Sequence, residues 1–317
     1  MSALHLFITL AIATVALSQT CEDWSYDTTG PTSPQNWADI CPDSQCGGTS
    51  QSPINILKLN VSTAMEPPLK PLTANYRVNT GHTIQNNGHT LFVNVSQSGV
   101  MEVTGGPLTE AYELVQIHLH SKSEHTVDGK QVALEVHFVH QKNISGIEYA
   151  VVAVMYNVTD GATPDPFIQR IDDETPLLKE VNTSVSLPIE FNMGDVMKHV
   201  SSKGYFHYFG SLTTPQCDEK VQWFIMQDIV GITQQQLNAL ATVPVMNGNF
   251  RPVQPIANRT VYHWAPEVII PRKKAPIGLV IGIIIGGLTC FVLMGIVVLM
   301  TTRVGKRTDY DEIEDKD

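Results

Sequence analysis

An uncharged, apolar run of 24 residues, from Ile277 to Met300, restricts this chain more than any other feature. A helix needs about 20 such residues to cross the hydrocarbon core of a bilayer, and buried globular helices are seldom so long and so uniform. The run therefore predicts one C-terminal transmembrane helix over 277–300, with a short tail at 301–317. Because a charged segment follows the run, a true span is favoured over a GPI signal, which would end in its hydrophobic tail.

The orientation of the span depends on the N-terminus, because three basic residues flank the run on each side. Leu6–Leu17 is an apolar stretch of the length of a signal-peptide core, and Ala16 and Ser18 are small residues where signal peptidase reads the chain. We predict a signal peptide over 1–18; its start has His5 but no Lys or Arg, and a buried N-terminal helix is the alternative. Cleavage would place the body outside the cell and the tail in the cytoplasm, as in a single-pass type I plasma-membrane protein.

Cysteines and glycosylation motifs agree with an oxidising, extracellular compartment. Four cysteines fall in the body, and their spacing leaves all three pairings open: Cys21, Cys41, Cys46 and Cys217. Six Asn-x-Ser/Thr motifs lie on the same predicted side of the membrane: Asn60, Asn94, Asn143, Asn157, Asn182 and Asn258.

Glycines recur at every fourth position of the apolar run, at Gly278, Gly282 and Gly286. Small residues on one face would allow two membrane helices to pack closely and form a homodimer. The alternative, that Gly is simply common in membrane helices, carries equal weight.

The formal net charge is −11, from 20 Lys and Arg against 31 Asp and Glu. Phosphate binding needs a basic surface, so the balance argues against a nucleic-acid partner. Six of the acids lie in residues 308–317, which predicts an acidic, solvated cytoplasmic tail. Phosphorylation of Tyr310 is the alternative role for that segment.

The body is predicted to be one mainly β (α+β) domain, residues 19–264, followed by a proline-containing stalk, residues 265–276. Short β-branched and aromatic runs alternate with Gly, Pro and Asn breaks, which is typical of strands. The clearest runs are Leu91–Val95, Glu113–His120, Val132–His140, Tyr149–Val158 and Val221–Asp228. Helical patterns are few and predict small peripheral helices: Pro166–Ile171, Ile189–Val200, and Thr233–Ala241 with Thr233 as its N-cap before Gln236.

Two of the predicted strands carry histidines at alternating positions. Residues two apart in a strand share a face, so Gln116, His118 and His120 point one way, as do Glu135 and His137 in the next strand. Three imidazoles converging from neighbouring strands, with a fourth position open, describe a catalytic zinc site. Gln116 and Glu135 are placed to bond the ligand imidazoles and fix their orientation.

A His-x-His pair alone is more often structural or exposed than metal-binding. We interpret His125 and His140 as hydrogen-bonded core histidines. Four others have no assigned chemistry: His82, His199, His207 and His263. Spacing alone therefore leaves the zinc site as a hypothesis.

Seven separated motifs resemble those of the α-class carbonic anhydrases, in particular the membrane-anchored extracellular type. They are Gln51-Ser52-Pro53-Ile54-Asn55-Ile56, Asn86-Asn87-Gly88-His89, Gln116-Ile117-His118-Leu119-His120, Ser123-Glu124-His125-Thr126-Val127-Asp128, Glu135-Val136-His137-Phe138-Val139-His140, Tyr208-Phe209-Gly210-Ser211-Leu212-Thr213-Thr214-Pro215, and Asn249-Phe250-Arg251-Pro252-Val253-Gln254-Pro255. They cover nearly the whole body, from Trp24 to about Trp264, and their combination is specific although no single motif is. The resemblance implies a large, twisted, mostly antiparallel β-sheet.

The resemblance also implies an activity, the reversible hydration of carbon dioxide to bicarbonate by attack of zinc-bound hydroxide. His118, His120 and His137 look like the zinc ligands, and Gln116 and Glu135 look like the partners that orient them. These five positions coincide with those reached from strand spacing alone.

Further roles come only from the resemblance. Thr213 looks like the hydroxyl that accepts a hydrogen bond from the hydroxide, and Glu124 looks like the carboxylate that orients Thr213. His89 matches the proton shuttle, a role suited to a side chain that titrates near neutral pH; an ordinary turn histidine is the alternative. The remaining matches are Tyr26 in the water network, Thr214 for bicarbonate, and Val139, Val151, Leu212, Val221 and Trp223 for the apolar wall that holds carbon dioxide.

The cysteine pattern resembles that of secreted and membrane-bound members, which implies the bridges Cys46–Cys217 and Cys21–Cys41. The chain departs from the common pattern in three ways that bear on the site, one of which is Gln216, where many relatives have a second proline. The other two concern a loop and the pocket. The loop between His120 and Glu124 holds only three residues (121–123), and Phe92 stands where many relatives have a polar side chain.

Some relatives of this fold have lost zinc ligands and serve as recognition modules. A binding or adhesion ectodomain is therefore the second hypothesis. The feature that discriminates the two is the set of three histidines, which this chain retains.

Overall fold

A computed structural model describes residues 21, 23–76, 81–95, 101–143, 147–187, 198–200, 204–266 and 293–294. The predicted signal peptide and tail lie outside these residues, as do the stalk beyond Pro266 and the membrane segment apart from Leu293 and Met294. Among the described residues, no helix is both long and apolar enough to cross a membrane.

The described part of the chain contains short helices and many strands. The strands are β1 (Asn55–Ile56), β2 (Leu72–Tyr76), β3 (Thr83–Asn86), β4 (Leu91–Asn94), β5 (Met101–Gly105), β6 (Tyr112–His120), β7 (Thr126–Val127), β8 (Leu134–Asn143), β9 (Ile147–Val158), β10 (Ser184–Ser186), β11 (Tyr205–Gly210), β12 (Val221–Ile232) and β13 (Tyr262–Trp264). The α-helices are α1 (Trp37–Ile40), α2 (Pro166–Asp172) and α3 (Gln234–Leu240). All five predicted strands are confirmed, with ends that differ by a few residues.

Eleven strands form one sheet, in the order β10-β3-β4-β6-β8-β9-β12-β11-β13. Strand β5 pairs with β6 beside β4, and β2 pairs with β5. Within this sheet the β9–β12 pair is parallel and the other pairs are antiparallel. The predicted mainly β fold with a large, mostly antiparallel sheet is therefore confirmed.

Hydrophobic side chains fill both faces of the sheet centre. Strand β9 contributes Val152 and Val154 to one buried cluster, and Val151 and Ala153 to another. Successive side chains of a strand point to opposite faces, so a continuous apolar run places β9 in the interior on both sides. The second cluster lies on the face that carries the histidines.

A bulge in β6 sets which face the histidines occupy. The register against β8 shifts between Leu114 and Gln116. Leu114 therefore shares its buried cluster with Ile117 and Leu119 rather than with the even-numbered residues that follow it. One extra residue in a strand re-aims the side chains beyond it, and here it leaves His118 and His120 on the opposite face.

The helices are small, and α2 and α3 begin at residues whose side chains cap them. The Asp165 side chain accepts hydrogen bonds from the first backbone N–H groups of α2. Thr233 and Gln236 form a reciprocal capping box at the start of α3, which confirms the predicted N-cap. Of the third predicted helix, 189–200, only residues 198–200 are described, and they are helical.

Candidate active site

Three histidines from β6 and β8 meet on one face of the sheet. His118 lies directly opposite His137 in the strand register, and His120 follows two residues along β6. Each offers a ring nitrogen within 4.8 Å of the others. The ring centroids are 4.6, 4.9 and 5.0 Å apart. The convergence predicted from alternation therefore holds in the structure.

Hydrogen-bond partners fix which nitrogen of two imidazoles faces the cluster. The Nε2 atom of His137 lies 2.8 Å from Oε1 of Glu135, and Nδ1 of His120 lies 2.7 Å from the carbonyl oxygen of Asn249. Carboxylate and carbonyl oxygens only accept, so these nitrogens carry the hydrogen. The lone pairs of the remaining nitrogens then point into the cluster.

Burial keeps these imidazoles uncharged. It lowers the pKa of His120 to about 4, and with neighbouring imidazoles it lowers the pKa of His118 well below its ordinary value. The pKa of His137 is also lowered by burial, although its bond to Glu135 opposes the effect. Neutral imidazoles are the form that binds metal ions.

The chemistry of the donor set fits a divalent cation. Nε2 of His120 and Oε2 of Glu124 are buried and have no hydrogen-bond partner among the described residues. These two atoms lie 3.5 Å apart. A ring nitrogen left unpaired in the interior is costly, and a cation among the three imidazoles would satisfy Nε2 of His120. The three histidines can thus hold a metal ion.

A second group, His125, Glu135 and His137, also brings donor atoms together. Its atoms already pair with one another, because Oε1 of Glu135 lies 2.7 Å from Nδ1 of His125 as well as 2.8 Å from Nε2 of His137. Nε2 of His125 contacts the hydroxyl of Tyr208 at 2.7 Å. This group is therefore a hydrogen-bond network, and the interpretation of His125 as a core histidine is confirmed.

His140 has the same character on the other face of the sheet. Its Nε2 lies 2.7 Å from the hydroxyl of Tyr76, and its Nδ1 lies 3.0 Å from the carbonyl oxygen of Ala150. Both ring nitrogens are thus used inside the core, as predicted.

Glu135 also holds the short loop that follows β6. Its Oε2 accepts hydrogen bonds of 2.8 Å from the backbone N–H groups of Glu124 and His125. Burial alone would raise the pKa of Glu135, but the charge and bonds of His125 and the bond from His137 outweigh it and hold that pKa well below its usual range. The carboxylate stays charged and anchors the loop.

The short loop does not turn Glu124 away from the histidines. Oε1 of Glu124 accepts a 2.8 Å bond from the backbone N–H of Arg251, and Oε2 lies 4.0 Å from Nδ1 of His137. Burial raises the pKa of Glu124 to about 7. His137 and the hydroxyl of Thr213 act in the opposite direction.

A cavity of about 190 Å³ opens beside the cluster. It is lined by Trp24, Tyr26, Asn87, His89, Thr90, Phe92, Gln116, His118, His120 and Thr214. Phe92 lies opposite His118 in the register of β4 and β6, and gives one wall an aromatic surface. Gln116 lines the cavity, but within the described part of the chain we find no hydrogen bond from it to a histidine.

His89 reaches this cavity from the turn after β3. Gly88 adopts a positive φ of 89°, which a residue with a side chain rarely does, and the His89 N–H donates to Oδ1 of Asn87 at 2.9 Å. The imidazole stacks on Trp24 with ring centroids 3.8 Å apart and an interplanar angle of 10°. Burial lowers the pKa of His89.

The five residues predicted as an apolar wall also gather beside the cluster. Four of them are buried in one hydrophobic cluster: Val139, Val151, Val221 and Trp223. Leu212 packs against this cluster. The Trp223 ring lies 4.9 Å from the ring of His137. Tyr26 lies at the cavity with its ring 6.4 Å from His120.

Two buried polar residues of the site received no role from the sequence. Arg251 donates from its guanidinium to Oε1 of Gln51 and to the carbonyl oxygen of Ser52, both at 2.8 Å. Asn249 accepts from the ligand candidate His120 through its backbone. Both belong to the quoted motif 249–255, but only long-range contacts give them a function.

Both predicted bridges are present, Cys46–Cys217 and Cys21–Cys41. The first ties the N-terminal segment to the loop that follows Thr214. Five predicted glycosylation sites are exposed: Asn60, Asn94, Asn157, Asn182 and Asn258. The side chain of Asn143 lies outside the described residues.

Comparison with known proteins identifies a family and several relatives. The sequence profile of the eukaryotic-type carbonic anhydrases matches residues 32–265. Alpha carbonic anhydrase 8 of Arabidopsis thaliana is 33% identical over 79% of this chain, which spans 63% of that protein's length. Carbonic anhydrase 4 of Mus musculus is 33% identical over 80% of this chain and 88% of its own length.

A solved structure agrees with the sequence matches. The alpha-carbonic anhydrase of Thermovibrio ammonificans, in complex with the inhibitor sulfanilamide, is 30% identical to this chain and superposes with a TM-score of 0.66. The match covers 75% of this chain and 98% of that one. On the fold, the histidine cluster and these matches together, the chain belongs to the α-type carbonic anhydrase family and so to that class of enzymes.

Proposed function

We propose that this protein catalyses the zinc-dependent, reversible hydration of carbon dioxide to bicarbonate and a proton at the extracellular face of the membrane. One observation carries the proposal. Three uncharged histidines, of which His120 and His137 are buried and His118 is half-buried, converge beside the buried carboxylate of Glu124 in a member of the carbonic anhydrase family.

His118, His120 and His137 are the residues proposed to hold the ion. When bound, zinc makes a coordinated water a much stronger acid and so supplies hydroxide at neutral pH. Glu135 and the carbonyl of Asn249 hold the imidazoles of His137 and His120 in the tautomers whose lone pairs face the cluster. Such outer partners strengthen and orient metal ligands.

Thr213 and Glu124 are proposed to direct the attack. A buried carboxylate beside the Thr213 hydroxyl would accept its hydrogen, because a carboxylate has only acceptor atoms. The lone pairs of the Thr213 oxygen then face the reacting centre, where they can pair only with a hydrogen-bond donor. Thr214 is proposed to contact bicarbonate, and the five-residue apolar wall to hold carbon dioxide without competing hydrogen bonds.

His89 is proposed to carry the released proton to solvent. It lines the same cavity as His118 and His120, and its imidazole can accept and release protons near neutral pH. Tyr26 is proposed to order the intervening water. Burial raises the pKa of Tyr26 well above 10, so its hydroxyl keeps its hydrogen and acts through hydrogen bonds.

Attachment to the plasma membrane is part of the proposal. It is supported by the apolar run 277–300, the paired cysteines and the similarity to mouse carbonic anhydrase 4. Labelling of intact cells with a membrane-impermeant amine reagent should modify the body, and labelling only after permeabilisation would refute the orientation. The predicted homodimer is tested by comparing chemical crosslinking of the Gly282→Ile variant and of the wild type in membranes. An unchanged yield of crosslinked dimer would exclude packing through the glycines.

The enzyme proposal is tested by stopped-flow carbon dioxide hydration with zinc measured on the same sample. His118→Ala should lose both zinc and catalysis, whereas His263→Ala, which removes a histidine on β13, should keep both. A His118→Ala protein with full activity would refute the ligand assignment. A folded wild type without zinc or activity would favour the recognition-module hypothesis instead.

A further inference from the structure

The side chain of Asn249 joins two segments of the site that are far apart in the sequence, the turn at His89 and the end of β6 at Leu119 and Ser121. Its Nδ2 donates to the carbonyl oxygen of His89 at 3.2 Å and to that of Leu119 at 2.8 Å. Its Oδ1 accepts from the backbone N–H of Ser121 at 2.8 Å. The residue is 3% exposed, so these bonds are sheltered from water.

The amide group of the Asn249 side chain uses both its hydrogens and its oxygen to bond backbone groups of the site. An asparagine amide has two donor hydrogens and one acceptor oxygen, and here the donors serve two carbonyls while the oxygen serves one N–H. An aspartate of the same shape has no donor at neutral pH. The backbone carbonyl of Asn249 also accepts from Nδ1 of His120 at 2.7 Å.

These bonds lie where the chain needs a partner. Strand β6 ends at His120, so the Ser121 N–H is the first one beyond its ladder and must be satisfied elsewhere. The turn that carries His89 is also held by local bonds to Asn87, by the stacking of His89 on Trp24, and by the Thr90 hydroxyl, which donates to the carbonyl oxygen of Leu119. The Asn249 amide is a second buried link between this turn and the end of the ligand strand, and it bonds the backbone of His89 itself.

We propose that Asn249 is a positioning residue that sets the distance and orientation of His89 relative to the metal site, while holding the short 121–123 loop. The inference rests on the proposed function. Proton transfer through hydrogen bonds depends on how closely the donor and acceptor are held, and misplacement by 1 Å can cost about 100-fold in rate. Loosening the His89 turn should slow proton export and leave the reaction with carbon dioxide intact.

Asn249→Asp tests the proposal with little change in shape. It keeps the acceptor for the Ser121 N–H, removes both donors and places a carboxylate against two carbonyl oxygens. We expect kcat to fall about tenfold, the low end for loss of an outer partner in a metal site. We expect kcat/KM for carbon dioxide to stay within about twofold, because that ratio does not include proton export. Adding imidazole buffer as an external proton acceptor should restore kcat.

The matched control is Asn247→Asp, which adds the same charge at an exposed position two residues earlier. It should leave kcat and kcat/KM unchanged. In a His89→Ala background, Asn249→Asp should cause no further loss of kcat, since the group it positions is gone. If Asn249→Asp does not fold, Asn249→Ser, which keeps one donor, carries the same expectation with a smaller loss.

Three results would overturn the proposal. Unchanged kcat would make the amide irrelevant to proton export. A parallel fall of kcat and kcat/KM with loss of zinc, unaffected by imidazole, would confine Asn249 to holding His120. A further loss in the His89→Ala background would indicate a general structural effect. A wild type that lacks hydration activity would instead refute the proposed function.

Discussion

Replacing Glu135 by glutamine should weaken zinc binding although the two side chains have the same shape. Oε2 of Glu135 accepts two backbone N–H bonds of 2.8 Å, and Oε1 faces ring nitrogens of His125 and His137 at 2.7 and 2.8 Å. A glutamine has one acceptor oxygen, which the two backbone donors require. Its NH₂ group must then face two imidazoles that already present hydrogens.

The conflict resolves if both ring nitrogens become acceptors. His125 can give up its Nδ1 hydrogen and keep the one on Nε2, which faces the Tyr208 hydroxyl. The change that affects zinc binding is the inverted tautomer of His137. Its Nε2 would accept from the new amide, and its hydrogen would move to Nδ1, the atom that faces the other two histidines. One lone pair of the cluster is then lost. Loss of an outer partner costs about 10- to 100-fold in metal affinity, which corresponds to about 1.4–2.7 kcal/mol.

The assay is a competition titration of zinc between the purified protein and a chelator of known affinity. Glu148→Gln is the matched control, since Glu148 bonds Tyr112 and Lys142 at the protein surface. The control should bind zinc as the wild type does. A zinc affinity for Glu135→Gln within about twofold of wild type would refute the tautomer argument.

Three further perturbations test other parts of the account. Cys46→Ser should lower the free energy of unfolding by up to about 5 kcal/mol, because the bridge joins residues 171 positions apart; an unchanged urea midpoint would contradict this. Burial lowers the pKa of His140 to about 4, against about 6.5 in the unfolded chain. The unfolded chain therefore binds the proton first, and the free energy of unfolding decreases as the pH falls from about 6.5 to about 4. His140→Gln should reduce the slope of unfolding free energy against pH there by up to about 1.4 kcal/mol per unit, and equal slopes in urea titrations would exclude the effect. Trp24→Ala should expose His89 and raise its pKa toward 6.5, as followed by NMR titration, and an unchanged midpoint would remove Trp24 as a cause of the burial.

The alternation of side chains along a strand predicted which residues share a face of the site, because this alternation is a local property of the strand. It placed Gln116, His118 and His120 together without knowledge of the partner strand. It could not give the pairing of His118 with His137, nor the bulge after Leu114, because register depends on the neighbouring strand. The helix starting at Thr233 was likewise predictable, since a capping box involves residues three apart.

Residues defined by long-range contacts were not predictable from local pattern. Asn249 bonds a carbonyl 160 positions away, and Arg251 bonds a glutamine 200 positions away. Their importance comes from being buried and hydrogen-bonded to distant parts of the chain, which only the fold determines. The cysteine pairs are similar: spacing left three pairings open, and the family resemblance supplied the pairing that the structure contains.

The most direct test of the central claim is reconstitution of the purified full-length protein with zinc. Bound metal is removed with a chelator, zinc is returned in measured steps, and carbon dioxide hydration is followed by stopped flow at each step. We expect no catalysis in the stripped protein and activity that rises linearly to a plateau at about one zinc per chain. Hydration by the metal-free protein, or a folded, zinc-loaded protein without hydration, would contradict it.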